Sequence, residues 1–272
     1  GAGRYYDAGA QAILKIVGGR SAVLDFAKAI ELNPNNVDLY IGRALSSHLQ
    51  EGLFEPAIQD LNHAIRLDPR NVDAYVELGN VYSRLGNAAD AIENYSQAID
   101  LDPENPTLYF FRGVAFREFG EVELAIEDLN RALALGLQSS IVFSQRGIAY
   151  IDIGDHAAAI SDFDRAIDLG FEDVPINLRR GVYNNRANEQ QSALQQNSTV
   201  FLNRGISHNA MGDHVAASRD LERAVAMYDR AVLNNPQDAN AHYFRGVAYF
   251  EMGEYAQAIS DYDEAIKLSS GA

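Results

Sequence analysis

The chain has no cysteine among its 272 residues. That excludes disulfides, thiolate zinc sites, iron–sulfur clusters and cysteine nucleophiles. It is also short of positive charge: 22 Lys and Arg face 38 Asp and Glu, for a formal net charge of −16 at pH 7. Such a surface repels phosphate backbones, so no nucleic-acid binding is expected. Lysine is scarce, with only Lys15, Lys28 and Lys267 beside 19 arginines; arginine suits fixed, forked hydrogen bonds. No stretch approaches the ~18 apolar residues of a membrane span, and no membrane insertion is expected. The opening Gly1-Ala-Gly-Arg-Tyr-Tyr-Asp7 lacks the basic-then-apolar order of a signal peptide. The cytoplasm is the expected compartment.

Catalytic motifs are missing as well. The six histidines form no His-x-x-x-His pair, and there is no phosphate-binding Gly-x-x-x-x-Gly-Lys and no Gly-x-Ser-x-Gly turn. Asp162-x-Asp164 and Asp261-x-Asp263 lack the glycine and distal glutamate of a calcium loop and read as solvated helix faces. No enzyme, metal or cofactor is assigned.

What the chain does have is a repeat. Apolar residues make up 47 %, and they return with a period of 34 residues. Asn36-Val-Asp-Leu-Tyr40 recurs as Asn71-Val-Asp-Ala-Tyr75, and Phe111-Arg-Gly-Val-Ala-Phe116 as Phe244-Arg-Gly-Val-Ala-Tyr249. A 34-slot frame starts at 3, 37, 72, 106, 140, 174, 198 and 239. Slot 8 holds a small residue, among them Ala44, Gly79, Gly147, Gly205 and Gly246, and slots 20 and 27 hold alanine. Slot 24 is bulky: Phe26, Leu61, Tyr95, Leu129, Phe163, Leu221 and Tyr262. Apolar spacing within each half-repeat is helical. Small residues let two helices approach while bulky neighbours fill the gaps. Gly86, Gly120, Gly154, Gly212 and Gly253 mark the turn between halves, where a left-handed cap favours glycine. Pro34, Pro69 and Pro103 stop the second helix.

Two copies depart from the frame. The sixth, from Val174 to Asn197, is cut short. Its Asn- and Gln-rich part, 184–197, is expected to be an irregular bridge, a polar loop or a truncated helix, with a hinge or binding loop as the alternative. The seventh is seven residues too long, with successive endings Leu221-Glu-Arg-Ala224 and Tyr228-Asp-Arg-Ala231. Seven residues is about two helical turns, which predicts one helix from His214 to Asn234 that projects beyond its neighbours. The expected organisation is an N-terminal array over 1–183, the irregular segment 184–197, and a C-terminal pair over 198–272.

Slot 7 repeats arginine (Arg43, Arg112, Arg146, Arg180, Arg204, Arg245) and slot 23 repeats aspartate (Asp25, Asp60, Asp128, Asp162, Asp220, Asp261). Their matched occurrence predicts a forked ion pair between the two helices of a repeat. The alternative is two independent surface choices. Arg180, in the sixth copy, has no such partner in the frame and is free to bind a ligand.

At these residues the chain resembles the tetratricopeptide repeat family over nearly its whole length. The resemblance implies an all-α fold. It would be a right-handed α-solenoid of about eight antiparallel helix pairs, the sixth truncated and the seventh extended. It also implies a non-catalytic protein-interaction scaffold holding a peptide or helical segment of a partner in a concave groove. In the family, slots 2, 5, 6, 9, 12 and 13 of the first helices line that groove. The lining expected here includes Asp73, Glu77, Asn80, Arg84, Phe111, Arg117, Glu118, Gln145, Arg179, Asn185, Arg186, Asn203, Asn209, Tyr243 and Phe250. Asn and Gln suit an extended backbone, aromatic residues supply anchors, and Arg117, Arg179 and Arg186 favour acidic groups on the partner. The family's carboxylate clamp for chaperone tails is disfavoured. Its lysine and asparagine slots read Val76, Asn80, Phe110 and Val114.

A solenoid needs a polar cap. In the last predicted helix, Tyr255 to Leu268, residues Ala258, Tyr262, Ala265 and Ile266 would leave an apolar face uncovered. That predicts self-association, or continuation of the natural protein. Two further readings stay open: the recruiting region of a larger enzyme, and a homo-oligomeric assembly factor.

Overall fold

A computed structural model describes residues 20–51, 53–170 and 189–270. These form thirteen α-helices and, among the described residues, no strand. They are α1 (Arg20–Leu32), α2 (Val37–Glu51), α3 (Phe54–Leu67), α4 (Val72–Arg84), α5 (Ala88–Leu101), α6 (Pro106–Phe119), α7 (Val122–Ala134), α8 (Ser140–Asp152), α9 (His156–Leu169), α10 (Glu189–Ala210), α11 (His214–Asn234), α12 (Ala239–Glu251) and α13 (Tyr255–Ser270). The chain divides into two units, residues 1–120 and 121–272. In the first, each of α1 to α6 packs on its chain neighbour; in the second, α7 to α13 do the same. The fold is the expected all-helical array of hairpins.

The turns form for local reasons. Gly120 (φ 96°) and Gly154 (φ 80°) take the left-handed conformation that ends α6 and α8. Asn71, Asn87, Asn105, Asp155, Asp213 and Asp238 each accept a backbone N–H at the start of the next helix. Each such cap contributes ~1 kcal/mol. Three tyrosines secure helix starts. Tyr40, Tyr75 and Tyr109 donate their hydroxyls to the carbonyls of Pro34, Pro69 and Pro103, at 2.9, 3.4 and 3.1 Å. His242 takes the same slot, with Nε2 3.2 Å from the Pro236 carbonyl.

The small-and-bulky rhythm is a set of close helix contacts. A Cβ added at Gly79 would lie 2.6 Å from the Tyr95 ring, and one at Gly147 would lie 2.7 Å from Phe163. Tyr95 and Phe163 are fully buried. Burying such a ring contributes roughly 1.5–3 kcal/mol, and the missing Cβ makes room for it.

The arginine–aspartate pairs form as expected. Arg43–Asp60, Arg146–Asp162, Arg204–Asp220 and Arg245–Asp261 are each two-pronged, with N···O distances of 2.6–2.8 Å. Arg112 and Asp128 belong to different units. The sequence frame missed a second role. The remaining guanidinium nitrogen reaches back to the preceding hairpin: Arg112 to Ser96, Arg146 to Asn130, Arg204 to Asp164 and Arg245 to Asp229. Burial disfavours the Arg204 cation, but its bonds to Asp220 and Asp164 outweigh that and raise its pKa above the ordinary value.

The sixth and seventh copies need a correction. The stretch expected to be irregular is helical from Glu189 onward, and α10 runs unbroken through the frame start at 198. Residues 189–198 contain no proline or glycine, and Glu, Gln, Ala and Leu are strong helix formers. Residues 171–188 lie outside the described part. Helix α11 has the expected bounds, His214–Asn234, but it is not alone. The early part of α10 accompanies it, and the Thr199 and Tyr228 hydroxyls lie 3.4 Å apart. The two extra turns divide the labour of α11. Leu221 packs at Gly205 of its own hairpin, while Tyr228 stacks on Phe244 of the next.

Candidate functional site

Within the first unit, the first helices α2, α4 and α6 bring a row of polar side chains together. Asp38 of α2 and Glu77 of α4 act on Asp73, and Ser83 of α4 donates to Glu118 of α6 at 3.4 Å. Asn80 sits in the middle. Its Nδ2 donates to Glu77 Oε2 at 3.2 Å, and its Oδ1 accepts from the buried Tyr95 hydroxyl at 2.8 Å. Those two bonds fix the amide's orientation and leave its second amide proton without a partner among them. A backbone carbonyl is a suitable acceptor for it.

The electrostatics of this face are acidic. Asp73 keeps an exposed edge, yet loss of water around it, with Glu77 and Asp38 nearby, pushes its pKa up to about 6. Glu118 is raised by burial too, only partly offset by Arg117 and the Ser83 hydroxyl. A cation placed here would relieve both carboxylates.

The expected lining residues have different fates. Glu77 and Asn80 belong to the row. Arg84 lays its guanidinium over the Phe54 ring, 5.6 Å from the centroid. Arg117 sits beside Glu118. Phe111 is buried, stacked on Tyr95 at 5.7 Å and tilted against Phe110, so it is a packing residue with no open ring face. Gln145 is buried in the second unit, and its Oε1 accepts no hydrogen bond. Asn203 is half-buried on α10. Asn209 is occupied by the end of α12, where it donates to the Glu251 carbonyl at 3.1 Å. Tyr243 and Phe250 are exposed on α12. Arg179, Asn185 and Arg186 lie outside the described residues, as does Arg180. The expected list omitted Asp38 and Ser83. Carrying slot 2 into the second copy, and slot 12 into the third, would have found both.

No group of three or more His, Cys, Asp or Glu able to hold a metal occurs among the described residues. No helix among them is long and apolar enough to cross a membrane.

Comparison with known proteins agrees with this architecture. Family models described as tetratricopeptide repeat match residues 76–139 and 209–272, and 142–169. A model described as TPR repeat matches 46–86. No curated protein matches the chain significantly. Among solved structures, the APC/C hetero-tetramer Cut9–Hcn1 is similar at a TM-score of 0.68 and 18 % identity, covering 93 % of this chain and 43 % of that one. The chain therefore spans less than half the length of that relative. MamA 41-end from Desulfovibrio magneticus RS-1 is similar at a TM-score of 0.57 and 16 % identity, covering 72 % of this chain and 96 % of that one. PilF of Pseudomonas aeruginosa is similar at 0.56 and 22 % identity, covering 87 % and 93 %. Similarity at these identities speaks for a shared fold.

Proposed function

The chain belongs to the tetratricopeptide repeat family, and from that premise we propose a non-catalytic scaffold that holds an extended segment of a partner protein on the first-helix face of residues 37–119. The carrying observation is the row Asp38, Asp73, Glu77, Asn80, Ser83 and Glu118. Its amide is locked in place by Tyr95, and the Asp73 and Glu118 carboxyl groups are held above their ordinary pKa.

The fixed Asn80 amide suits a backbone carbonyl of an extended chain. The crowded carboxylates suit a lysine or arginine side chain on the same segment. The acidic partner groups expected from Arg117, Arg179 and Arg186 would need residues outside the described part.

Arrays of lysine-bearing and glutamate-bearing peptides, followed by fluorescence anisotropy on the best binders, test this reading. Lysine-bearing peptides should bind preferentially. Asn80→Ala should weaken them ~5–20-fold, the worth of one lost hydrogen bond to a partly buried group. Equal binding of both charge classes, with no effect of Asn80→Ala, would remove this face from consideration.

A further inference from the structure

One hydrogen bond in the first unit joins the buried interior of a hairpin to a half-buried residue of the polar row. Tyr95 belongs to the second helix, α5, and is 1 % exposed. Its hydroxyl donates to Oδ1 of Asn80, on the first helix α4, at 2.8 Å. The route is the gap at Gly79. A Cβ there would lie 2.6 Å from the Tyr95 ring, so the bare backbone lets the ring cross α4 with its hydroxyl at the next residue. Phe111 stacks on the same ring at 5.7 Å. A ring packed on these sides delivers its hydroxyl to a fixed point.

The pairing occurs once among the described copies. At slot 9, where Asn80 stands, the others carry Leu45, Val114, Ile148, Ile206 and Val247. At slot 24, where Tyr95 stands, one other described copy brings a hydroxyl, Tyr262, and it shares its copy with Val247. Packing alone asks for neither polar atom, because Leu61, Leu129, Phe163 and Leu221 fill the same slot fully buried without one. The amide and the hydroxyl beneath it therefore arrive together.

Their neighbours decide what the amide offers. Glu77 is 7 % exposed and accepts from Nδ2 at 3.2 Å. A turned amide would set Oδ1 against that carboxylate, two acceptors face to face. Burial, then Glu77 and Glu118, raise the Tyr95 pKa well above its ordinary value, so the phenol keeps the proton that it donates. Tyr95 and Glu77 thus favour the same orientation.

We infer that Tyr95 is a positioning residue for partner binding: by holding Oδ1 of Asn80, it keeps the remaining Nδ2 proton set for a carbonyl oxygen of the partner segment. The inference rests on the reading of this face as a partner site. Tyr95 acts through Asn80, by fixing in advance an amide that binding would otherwise have to order.

A double-mutant cycle on the full chain tests it, read by fluorescence anisotropy with the best lysine-bearing peptide of the array. Tyr95→Phe keeps the ring and removes the hydroxyl, and Phe163 at the same slot shows that a phenylalanine fits. It should weaken binding about 3- to 10-fold, the worth of one hydrogen bond. In an Asn80→Ala background the same change should alter affinity by less than about 2-fold, because nothing is left to position. Tyr228→Phe, which removes a buried hydroxyl from the second unit, should leave binding unchanged. Circular dichroism and urea midpoints show that each variant folds. The free chain gives a second readout. Exchange of the Asn80 side-chain amide protons, assigned by their loss in Asn80→Ala, should be faster in Tyr95→Phe than in the wild type. An Asn80→Ala chain that binds like the wild type overturns the reading of the face and the inference with it. If Asn80→Ala weakens binding while Tyr95→Phe does not, or if Tyr95→Phe weakens it equally with and without Asn80, the inference alone fails. Unchanged amide exchange overturns it too.

Discussion

Arg204 grips two carboxylates of opposite character, and that contrast gives a sharp prediction. The Asp220 side chain is 5 % exposed, whereas Asp164, bonded to the same guanidinium, is 55 % exposed. Removing the arginine leaves Asp220 buried without its counter-charge, a situation that costs ~3–5 kcal/mol. The Asp164 bond is solvated and is worth ~0–1 kcal/mol. Arg204→Ala should therefore destabilise the second unit by ~3–5 kcal/mol. Arg204→Lys keeps the charge but loses the fork, and should cost ~1–2 kcal/mol. Double-mutant cycles separate the partners. Coupling of Arg204 to Asp220 should be ~2–4 kcal/mol, and to Asp164 below ~1 kcal/mol. Urea unfolding followed by circular dichroism supplies the energies. Amide exchange across α10 and α11 shows whether the loss is local. Equal coupling to the two aspartates, or an Arg204→Ala cost below ~1 kcal/mol, would refute the reasoning.

Two more predictions follow from close packing and from charge. Gly147→Ala drives a methyl to 2.7 Å from the Phe163 ring. It should destabilise by ~1–3 kcal/mol despite alanine's better helix propensity, and Phe163→Leu should remove most of that penalty, as read from urea midpoints. Asp73 is raised from 3.8 to about 6 in the folded chain, so the fold favours its protonated form. Stability from this group is therefore greatest below its unfolded pKa and falls as pH rises toward 6. Asp73→Asn should stabilise the protein at pH 7 by on the order of 1 kcal/mol, discounted for its exposed edge, and flatten the profile between pH 4 and 6. Urea midpoints across that range check the sign.

Most of the fold was legible because the frame repeats. Gly147 and Phe163 are sixteen residues apart like Gly79 and Tyr95, and periodic placement of a gap and a ring announces a helix contact before any coordinates exist. The Arg–Asp pairs were legible for the same reason. The backward reach of the arginines was not, because the acceptor changes between copies: serine at 96, asparagine at 130 and aspartate at 164 and 229 share capacity rather than identity. The course of α10 was misread because polarity suggested a loop, while helix formation depends on the absence of breakers. The site was only partly legible. Slot position put Asn80 and Phe111 on the same face but could not tell that Asn80 bonds to Tyr95 and that Phe111 spends its ring on Tyr95 and Phe110. Burial at a shared face depends on what the adjoining helix carries.

The varied acceptors met by the arginines bear on how such a molecule can grow. Serine, asparagine and aspartate each satisfy the incoming guanidinium at that spot, so successive hairpins need not all carry the same residue there. A gene segment encoding one hairpin could be duplicated, lost or moved, and the new junction would find a donor and an acceptor already in place. Tolerance at the seams leaves the length of the array open to evolutionary change.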